Sequence, residues 1–216
     1  MPLAGRSAAV RITSQTATSS TNEAATRSTG PGASTTISGQ VQITSTARRQ
    51  LSPTGVHTLW RIAAGSTTLV PSTDYNLNLV QGIFDWRTGD PSTGTYQADI
   101  EWLTASNVAG GQEWSLSVDQ EAFEVTEFGS SGWRQYQPNL AGATASVDRY
   151  WVDSSFLDLI VADNPLFLIE LVVNSAAGWK YEGFARIQQD SINTAVDAIV
   201  TESLNLVIDG QLYFTT

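Results

Sequence analysis

The sequence predicts a mainly β fold of antiparallel strands, and three observations lead to this prediction. Apolar and polar residues alternate with a period of two over short segments, which is typical of strands with one buried face. Glycine, proline, asparagine and aspartate separate these segments, as they do in hairpins. The segment 153–161 is the best candidate for a helix. We therefore expect antiparallel β-sheets with one short flanking helix and a small β-module.

The first segment, 1–38, predicts an N-terminal strand followed by a flexible arm. Ala8–Thr13 has the composition of a short strand. Residues 13–39 are almost all Ser, Thr, Ala, Gly and Asn, and so few large apolar groups do not offset the entropy lost on ordering. A disordered terminus and an arm that orders only against a neighbouring subunit are both consistent with this composition.

Residues 39–104 predict a small all-β module. Its predicted strands alternate in polarity and are separated by turns at Pro53–Gly55, Gln81–Gly82 and Gly89–Gly94. The strands lie at 41–43, 59–62, 69–70, 75–79, 83–86 and 96–102. We expect the aromatic residues Trp60, Tyr75, Phe84, Trp86, Tyr96 and Trp102 to supply most of the core.

Residues 105–216 predict the main β core, which begins with a regularly alternating strand. Trp114, Leu116 and Val118 lie on one face, which we expect to be buried, and the polar residues 113, 115, 117 and 119 lie on the other. Further on, 166–173 is a continuous apolar run that suits a strand buried on both faces.

The predicted helix covers Asp153–Val161. Asp153 or Ser155 is suited to cap it, Phe156, Leu157, Ile160 and Val161 form an apolar stripe, and Pro165 stops it. Residues 192–200 are ambiguous, because their apolar residues fit helical spacing while the next segment, 204–208, alternates as a strand.

The composition limits the classes of function. The net charge is −10 and the pI is near 4.4, so the surface repels phosphates and specific nucleic-acid binding is not expected. The chain has no cysteine, which excludes disulfides and thiolate metal sites. No apolar run reaches the roughly 20 residues that span a bilayer, and the start of the sequence lacks the apolar region of a secretory signal. We expect a soluble protein made in a cytoplasm.

No residue pattern indicates an enzyme, a cofactor site or a metal site. The sole histidine, His57, has no Ser or carboxylate motif beside it. Carboxylates such as Asp99 and Glu101, two positions apart in a strand, share a solvated face more often than they form a glycosidase pair. The spacing of Asp85, Asp90 and Asp99 is not that of a calcium loop, and no glycine-rich phosphate loop occurs.

A carbohydrate-binding β-module is an alternative, since all-β chains rich in tryptophan bind sugars through exposed rings. Trp60, Trp86 and Trp102 are the candidates. Each alternates with apolar neighbours, however, which favours packing in the core.

The second half of the chain contains an ordered series of short motifs. They are Thr126 with Phe128-Gly129, Gly132-Trp133, Pro138-Asn139-Leu140, Tyr150-Trp151-Val152-Asp153, Gly183–Ile187, Val196-Asp197-Ala198, Thr201-Glu202-Ser203 and Asp209-Gly210. This series, over 112–212, resembles the major tail tube protein of long-tailed bacteriophages. The sequence departs from that family at Asn139, where glycine is commoner, and the 39–104 module has no counterpart in the smallest tube proteins.

The resemblance implies a tail-tube-like β-sandwich whose copies form hexameric rings that stack into a tube for DNA passage. The implied partners are further copies of the chain, the tape-measure, tail-tip and terminator proteins, and DNA in transient, non-specific passage, with no membrane. The implied location is the virion tail, assembled in the host cytoplasm. A tail terminator, a sheath protein or a capsid-decoration protein built from similar β elements is a related alternative.

Two sets of residues are the predicted sites of such a subunit. The predicted subunit interface contains two glycines that permit unusual backbone angles and a large aromatic anchor, and consists of Thr126, Phe128, Gly129, Gly132, Trp133, Pro138 and Leu140. The predicted channel-facing carboxylates are Glu113, Asp119 and Glu121.

Overall fold

The computed structural model describes residues 9–13, 16–28, 40–63, 66–87, 95–125, 133–134, 136–163, 165–194 and 198–215. These residues are mainly β, and the predicted fold class is confirmed. The strands are β1 (Ala9–Thr13), β2 (Thr18–Ser28), β3 (Gln40–Ile43), β4 (Thr58–Ala63), β5 (Ser66–Val70), β6 (Tyr75–Asn78), β7 (Ile83–Trp86), β8 (Thr95–Trp102), β9 (Ala105–Asn107), β10 (Gly111–Glu124), β11 (Tyr136–Tyr150), β12 (Phe167–Asn174), β13 (Trp179–Asn193), β14 (Thr201–Ile208) and β15 (Tyr213–Thr215). The helix α1 (Ser155–Val161) follows β11.

The chain divides into two compact units. One comprises Met1–Arg11 with Asn107–Thr216, and the other comprises Ile12–Ser106. The domain boundaries predicted from the sequence, at 38/39 and 104/105, remain a prediction.

The unit Ile12–Ser106 contains a seven-stranded sheet in the order β5-β4-β8-β2-β3-β7-β6. The six strands predicted between 41 and 102 are all present. Four of the six aromatic residues expected in the core are buried, namely Tyr75, Phe84, Trp86 and Tyr96. Tyr75 meets Phe84 and Trp86 edge-on, with ring centroids 5.1 and 6.5 Å apart, a favoured geometry for aromatic pairs.

The prediction of a flexible arm is wrong for Thr18–Ser28, which forms the strand β2. The strand pairs with β8 on one side and with β3 on the other. Only Ala25 among its described side chains is buried, so the strand is ordered by backbone hydrogen bonds to two neighbours. The amino-acid composition of a segment indicates how much side-chain surface it can bury, but not which strands it can pair with. The prediction from composition therefore missed this strand.

The other unit is built on an eight-stranded sheet, ordered β10-β11-β14-β13-β12-β1-β9, with β15 beside β13. Its β12 strand has six consecutive buried residues, which confirms the prediction of a strand buried on both faces. The core of this unit is apolar and includes Phe167, Leu168, Leu171, Ile187, Leu204 and Leu206. A strand that the sequence did not predict, β11, lies between β10 and β14.

The predicted helix is confirmed at Ser155–Val161. Asp153 accepts hydrogen bonds from the backbone and the hydroxyl of Ser155, at 3.1 and 2.6 Å, and thereby orders the turn that leads into the helix. Of the predicted apolar stripe only Phe156 is buried, whereas Leu157 and Val161 are exposed. In the ambiguous segment, Ile192 belongs to β13 and residues 198–200 are not helical, while 195–197 lie outside the described residues.

Candidate functional site

The hairpin of β10 and β11 extends beyond the sheet that contains it. β11 pairs with β10 from Tyr136 onward, but it pairs with β14 only over Thr144–Tyr150. Residues 118–124 and 136–143 therefore form a two-stranded ribbon, hereafter the ribbon, with no third strand among the described residues. At ~3.4 Å per residue the ribbon is about 20 Å long.

The ribbon and the residues next to it carry exposed apolar side chains. Leu140 is 85% exposed and Trp133 is 79% exposed, and Val118, Phe123, Val125 and Tyr136 are also exposed. The prediction that Val118 is buried is wrong, because β14 pairs with β11 only as far as Thr144 and no other described residue covers Val118. A two-stranded hairpin is at best marginally stable in water, so this surface is suited to contact with another molecule.

The predicted interface residues are partly located. Trp133 and Leu140 are exposed, and Pro138 lies in β11 opposite Ala122, beside a register irregularity. Proline has no backbone donor, which suits a position that has a strand on one side only. Thr126, Phe128, Gly129 and Gly132 lie outside the described residues.

Next to the ribbon, one face of the sheet is polar and rich in hydroxyls. Ser115 Oγ lies 2.8 Å from Ser146 Oγ across the β10–β11 pair, and Ser203 donates a hydrogen bond of 2.5 Å to Asp148 Oδ1 across the β11–β14 pair. Farther along, Asn205 Nδ2 donates to Gln189 Oε1 at 3.3 Å. These cross-strand bonds link four neighbouring strands into one hydrated surface, hereafter the polar face.

The predicted channel carboxylates belong to this region. Glu113 and Asp119 are exposed, and their β10 positions alternate with the half-buried Trp114 and Leu116. Glu121 is exposed on the ribbon, beside the register irregularity between Gln120 and Ala122. Asp148 was not indicated by the sequence. It lies beside Glu113, because the two residues are paired across β10 and β11.

The opposite face of the same strands contains a buried ion pair that ties α1 to the sheet. Arg149 and Glu202 are fully buried and hydrogen-bonded to each other. Arg149 Nη2 also donates to the backbone oxygen of Asp153 at 3.0 Å, and its guanidinium lies 4.4 Å from the ring centroid of Phe156. A single cation therefore holds β11, β14 and the start of α1 together, in surroundings where an unpaired charge is costly.

A third carboxyl, Asp190 on β13, adds to this cluster. Burial and the negative charge and hydrogen bonding of Glu202 raise the pKa of Asp190 above its ordinary value, while Arg149 opposes the shift. Its Oδ1 atom is buried without a hydrogen-bond partner. The three carboxyl groups of Glu202, Asp153 and Asp190 thus share the one guanidinium of Arg149.

A second charged cluster lies on β12 and β13, and its positive and negative charges are equal in number. Glu170 and Glu182 are buried opposite each other, and the ammonium of Lys180 binds both. Burial favours the neutral amine, but hydrogen bonds to the two glutamates outweigh it and raise the pKa of Lys180. Arg11 supplies the second cation of the cluster, with its Nη1 atom 3.5 Å from Glu170 Oε2.

The residues considered for catalysis or sugar binding have structural contacts. His57 Nε2 lies 2.9 Å from Ser52 O, and its Nδ1 accepts a hydrogen bond from the Glu101 backbone at 3.3 Å. Trp86 is buried, which removes it from the candidate sugar-binding surface. Trp60 is half-buried and donates its indole N–H to Asp99 Oδ2 at 2.9 Å, and Trp102 is half-buried beneath the guanidinium of Arg48.

The described part of the chain has neither a metal-binding cluster nor a membrane-spanning helix. None of its His, Asp and Glu side chains form a group of three or more that could hold a metal ion. None of its helices is long and apolar enough to cross a bilayer.

Comparisons with known proteins found only distant likeness. No protein-family model and no curated protein matches the chain. One similar solved structure is the tail of an empty gene transfer agent particle, determined by helical refinement with C6 symmetry, at 18% identity and a TM-score of 0.46 over 52% of this chain and 87% of that chain. Another is the virion of a native gene transfer agent particle, at 16% identity and a TM-score of 0.45 over 52% and 89%. A likeness this distant implies nothing about function.

Proposed function

We propose that the chain is a structural subunit of a phage-type tail tube, which forms hexameric rings that stack around a channel for DNA. The observation that carries this proposal is the ribbon, a projecting pair of strands with exposed apolar side chains. The ordered motif series over 112–212 supports the same conclusion. In this proposal Thr126, Phe128, Gly129, Gly132, Trp133, Pro138 and Leu140 form part of the contact between subunits.

Assembly into closed rings would solve two physical problems of the isolated subunit. The strand β10 is at the edge of its sheet, and an open edge is an aggregation hazard. In a closed ring with heterologous contacts, each subunit covers the open edge of its neighbour. Contact between rings would cover the apolar ribbon, whose exposed side chains otherwise remain in water.

The polar face is our candidate for the channel wall. Glu113, Asp119 and Glu121 would be repeated six times in a ring, and hydroxyl and amide groups would lie between the carboxylates. Such a wall repels DNA phosphates within about 8 Å, the Debye length at physiological salt. The exposed cation Arg186 lies on the same face, and its guanidinium is 3.4 Å from the Asp209 carboxylate. We assign the protein no catalytic role, since the proposed function is mechanical.

The remaining parts of the proposal follow from this role. Residues 39–104 would lie on the outer wall or between neighbouring rings. The partners would be further copies of the chain and the tape-measure, tail-tip and terminator proteins, in a virion tail assembled in the host cytoplasm.

The proposal is tested by replacing Trp133, with Trp179 as a matched control. Trp133 is 79% exposed, whereas Trp179 is 38% exposed and begins β13, a strand that pairs with neither strand of the ribbon. Purified wild-type protein should form rings or hollow tubes that are visible by negative-stain electron microscopy. Trp133→Ala should reduce assembly while leaving the melting temperature of the subunit nearly unchanged, and Trp179→Ala should leave assembly intact.

Two results would contradict the proposal. Wild-type protein that stays monomeric at high concentration, with or without tail-initiation proteins, would remove the basis for a tube. If Trp133→Ala instead lowers the melting temperature strongly while the folded fraction assembles normally, Trp133 stabilises the subunit and is not an assembly contact.

A further inference from the structure

The strand β5 is an edge strand without the usual protection against pairing. It lies at the end of the seven-stranded sheet and pairs only with β4 among the described residues. Its sequence, Ser66-Thr67-Thr68-Leu69-Val70, has no charged residue and no proline. Natural edge strands are commonly blocked by lysine, proline or a bulge. The four residues 66–69 are exposed, so the free edge of β5 is accessible.

The charge of the protein indicates what this edge can bind. At a net charge of −10, two copies repel each other unless they meet on a neutral surface. β5 offers such a surface, with five uncharged residues and, among the described residues, one edge of unpaired backbone donors and acceptors. Pairing through the backbone is independent of charge, and side chains then set its register.

The residues of β5 are complementary to a second β5 that runs in the opposite direction. A twofold axis at Thr68 places Thr67 opposite the partner's Leu69 and Ser66 opposite the partner's Val70, with the two Thr68 residues facing each other. Leu69 lies beside Trp60 of β4, and Thr67 lies beside Ile62. The pairing would therefore place Trp60 and Leu69 of one copy in line with Thr67 and Ile62 of the other, and Thr–Thr is a favourable cross-strand pair.

We propose that β5 is a sheet-extension site through which two copies of the chain form a twofold-symmetric dimer centred on Thr68. This dimer is distinct from the ring proposed above. Rings that stack in one direction have no twofold axis between their subunits, so the β5 pair belongs to the free protein and separates when rings form.

The test uses a charge exchange at Thr68 in the full-length chain. Thr68 lies opposite Arg61 within the subunit, so Thr68→Glu introduces an attractive pair inside the subunit and a like-charge pair between subunits. The dimer dissociation constant of Thr68→Glu, measured by analytical ultracentrifugation below the concentration at which rings form, should rise about fivefold or more. Thr68→Lys should weaken the dimer similarly, and an equimolar mixture of the two variants should restore it.

The matched controls are Ser72→Glu and Ser72→Lys, which change the same charges at an exposed position beyond the end of β5. They should dimerise as the wild type does, and mixing them should have no effect. A measurement that needs no variant is amide hydrogen exchange, since protection of residues 66–70 should rise with the concentration of wild-type protein.

The inference is overturned if Thr68→Glu dimerises as tightly as Ser72→Glu, if mixing the Thr68 variants restores nothing, or if exchange at 66–70 is independent of concentration. Because the proposed rings do not use this contact, Thr68→Glu should still form them. If Thr68→Glu loses the dimer and keeps the rings, the β5 pair is supported. If Trp133→Ala loses the rings and keeps the dimer, the result concerns only the proposed tube.

Discussion

We expect Asp190→Asn to stabilise the protein at neutral pH, although it removes a side chain from a charged cluster. Asp190 has a buried oxygen without a partner and lies beside the fully buried Glu202. The single guanidinium of Arg149 is already paired with Glu202. An amide at position 190 removes one of the two negative charges and supplies a donor for the Glu202 carboxylate.

The pH dependence follows from the direction of the pKa shift. The pKa of Asp190 is raised in the folded state, so the folded protein holds this proton at pH values where the unfolded chain, with a pKa of about 3.9, has released it. Below the unfolded pKa the protonated carboxyl carries no penalty. As pH rises through the raised pKa, the group ionises beside Glu202 and stability is lost. The advantage of the amide should therefore be small near pH 4 and larger at pH 7.

The magnitude can be bounded from the burial of the group. An unsatisfied buried polar group costs about 1–3 kcal/mol. Because Asp190 is only partly buried, solvent reduces this cost, and we expect a gain of about 1 kcal/mol. For a protein of this length such a gain raises the melting temperature by about 2–4 °C.

The assay is calorimetric melting of the wild type and the variant between pH 4 and pH 7.5. Asp119→Asn is the control, because it makes the same change of charge at an exposed position of the same unit. A lower melting temperature for Asp190→Asn at pH 7, or a gain that is the same at pH 4 and pH 7, would refute the reasoning. The first result would mean that the ionised Asp190 stabilises the cluster, and the second would mean that its ionisation does not affect stability.

Two other predictions follow from the same sheet. Arg149→Met should cost about 3–5 kcal/mol of unfolding free energy in urea denaturation, since it leaves Glu202 buried and unpaired. Adding Glu202→Gln to Arg149→Met should recover part of this loss, and no recovery would show that packing against Phe156 dominates. Changing Glu113, Asp119 and Glu121 to lysine should permit tube assembly but slow DNA ejection. Normal infectivity of a phage with this triple change would place these residues outside the channel.

The elements predicted correctly are those whose pattern is local. Tyr96–Trp102 alternates within its own sequence and forms β8 as expected, and the apolar run 166–173 forms the doubly buried β12. The helix at 155–161 follows a capping segment and apolar spacing that are also local. In each of these elements the side chains of one short segment define both the secondary structure and the buried face.

The elements that were missed depend on neighbours distant in sequence. Thr18–Ser28 has almost no apolar residue, yet it becomes a strand because β3 and β8 lie on its two sides. β11 was not predicted, because its buried positions include the small Ala145 and the charged Arg149, which forms an ion pair with Glu202, 53 positions away. Val118 fits a buried pattern but is exposed, because the next strand ends before reaching it.

The sequence by itself determined the mainly β class, the short helix, most of the strands in 39–104 and an acidic chain without cysteine. These properties depend on composition and on periodicities of a few residues. Only the tertiary structure decided which strands are neighbours, and therefore which residues project as the ribbon, which carboxylates share the polar face and which edge remains open. Strand pairing joins residues far apart in the chain, and its hydrogen bonds are made by backbone groups that are the same in nearly every residue. The order of strands in a sheet therefore leaves little trace in local sequence.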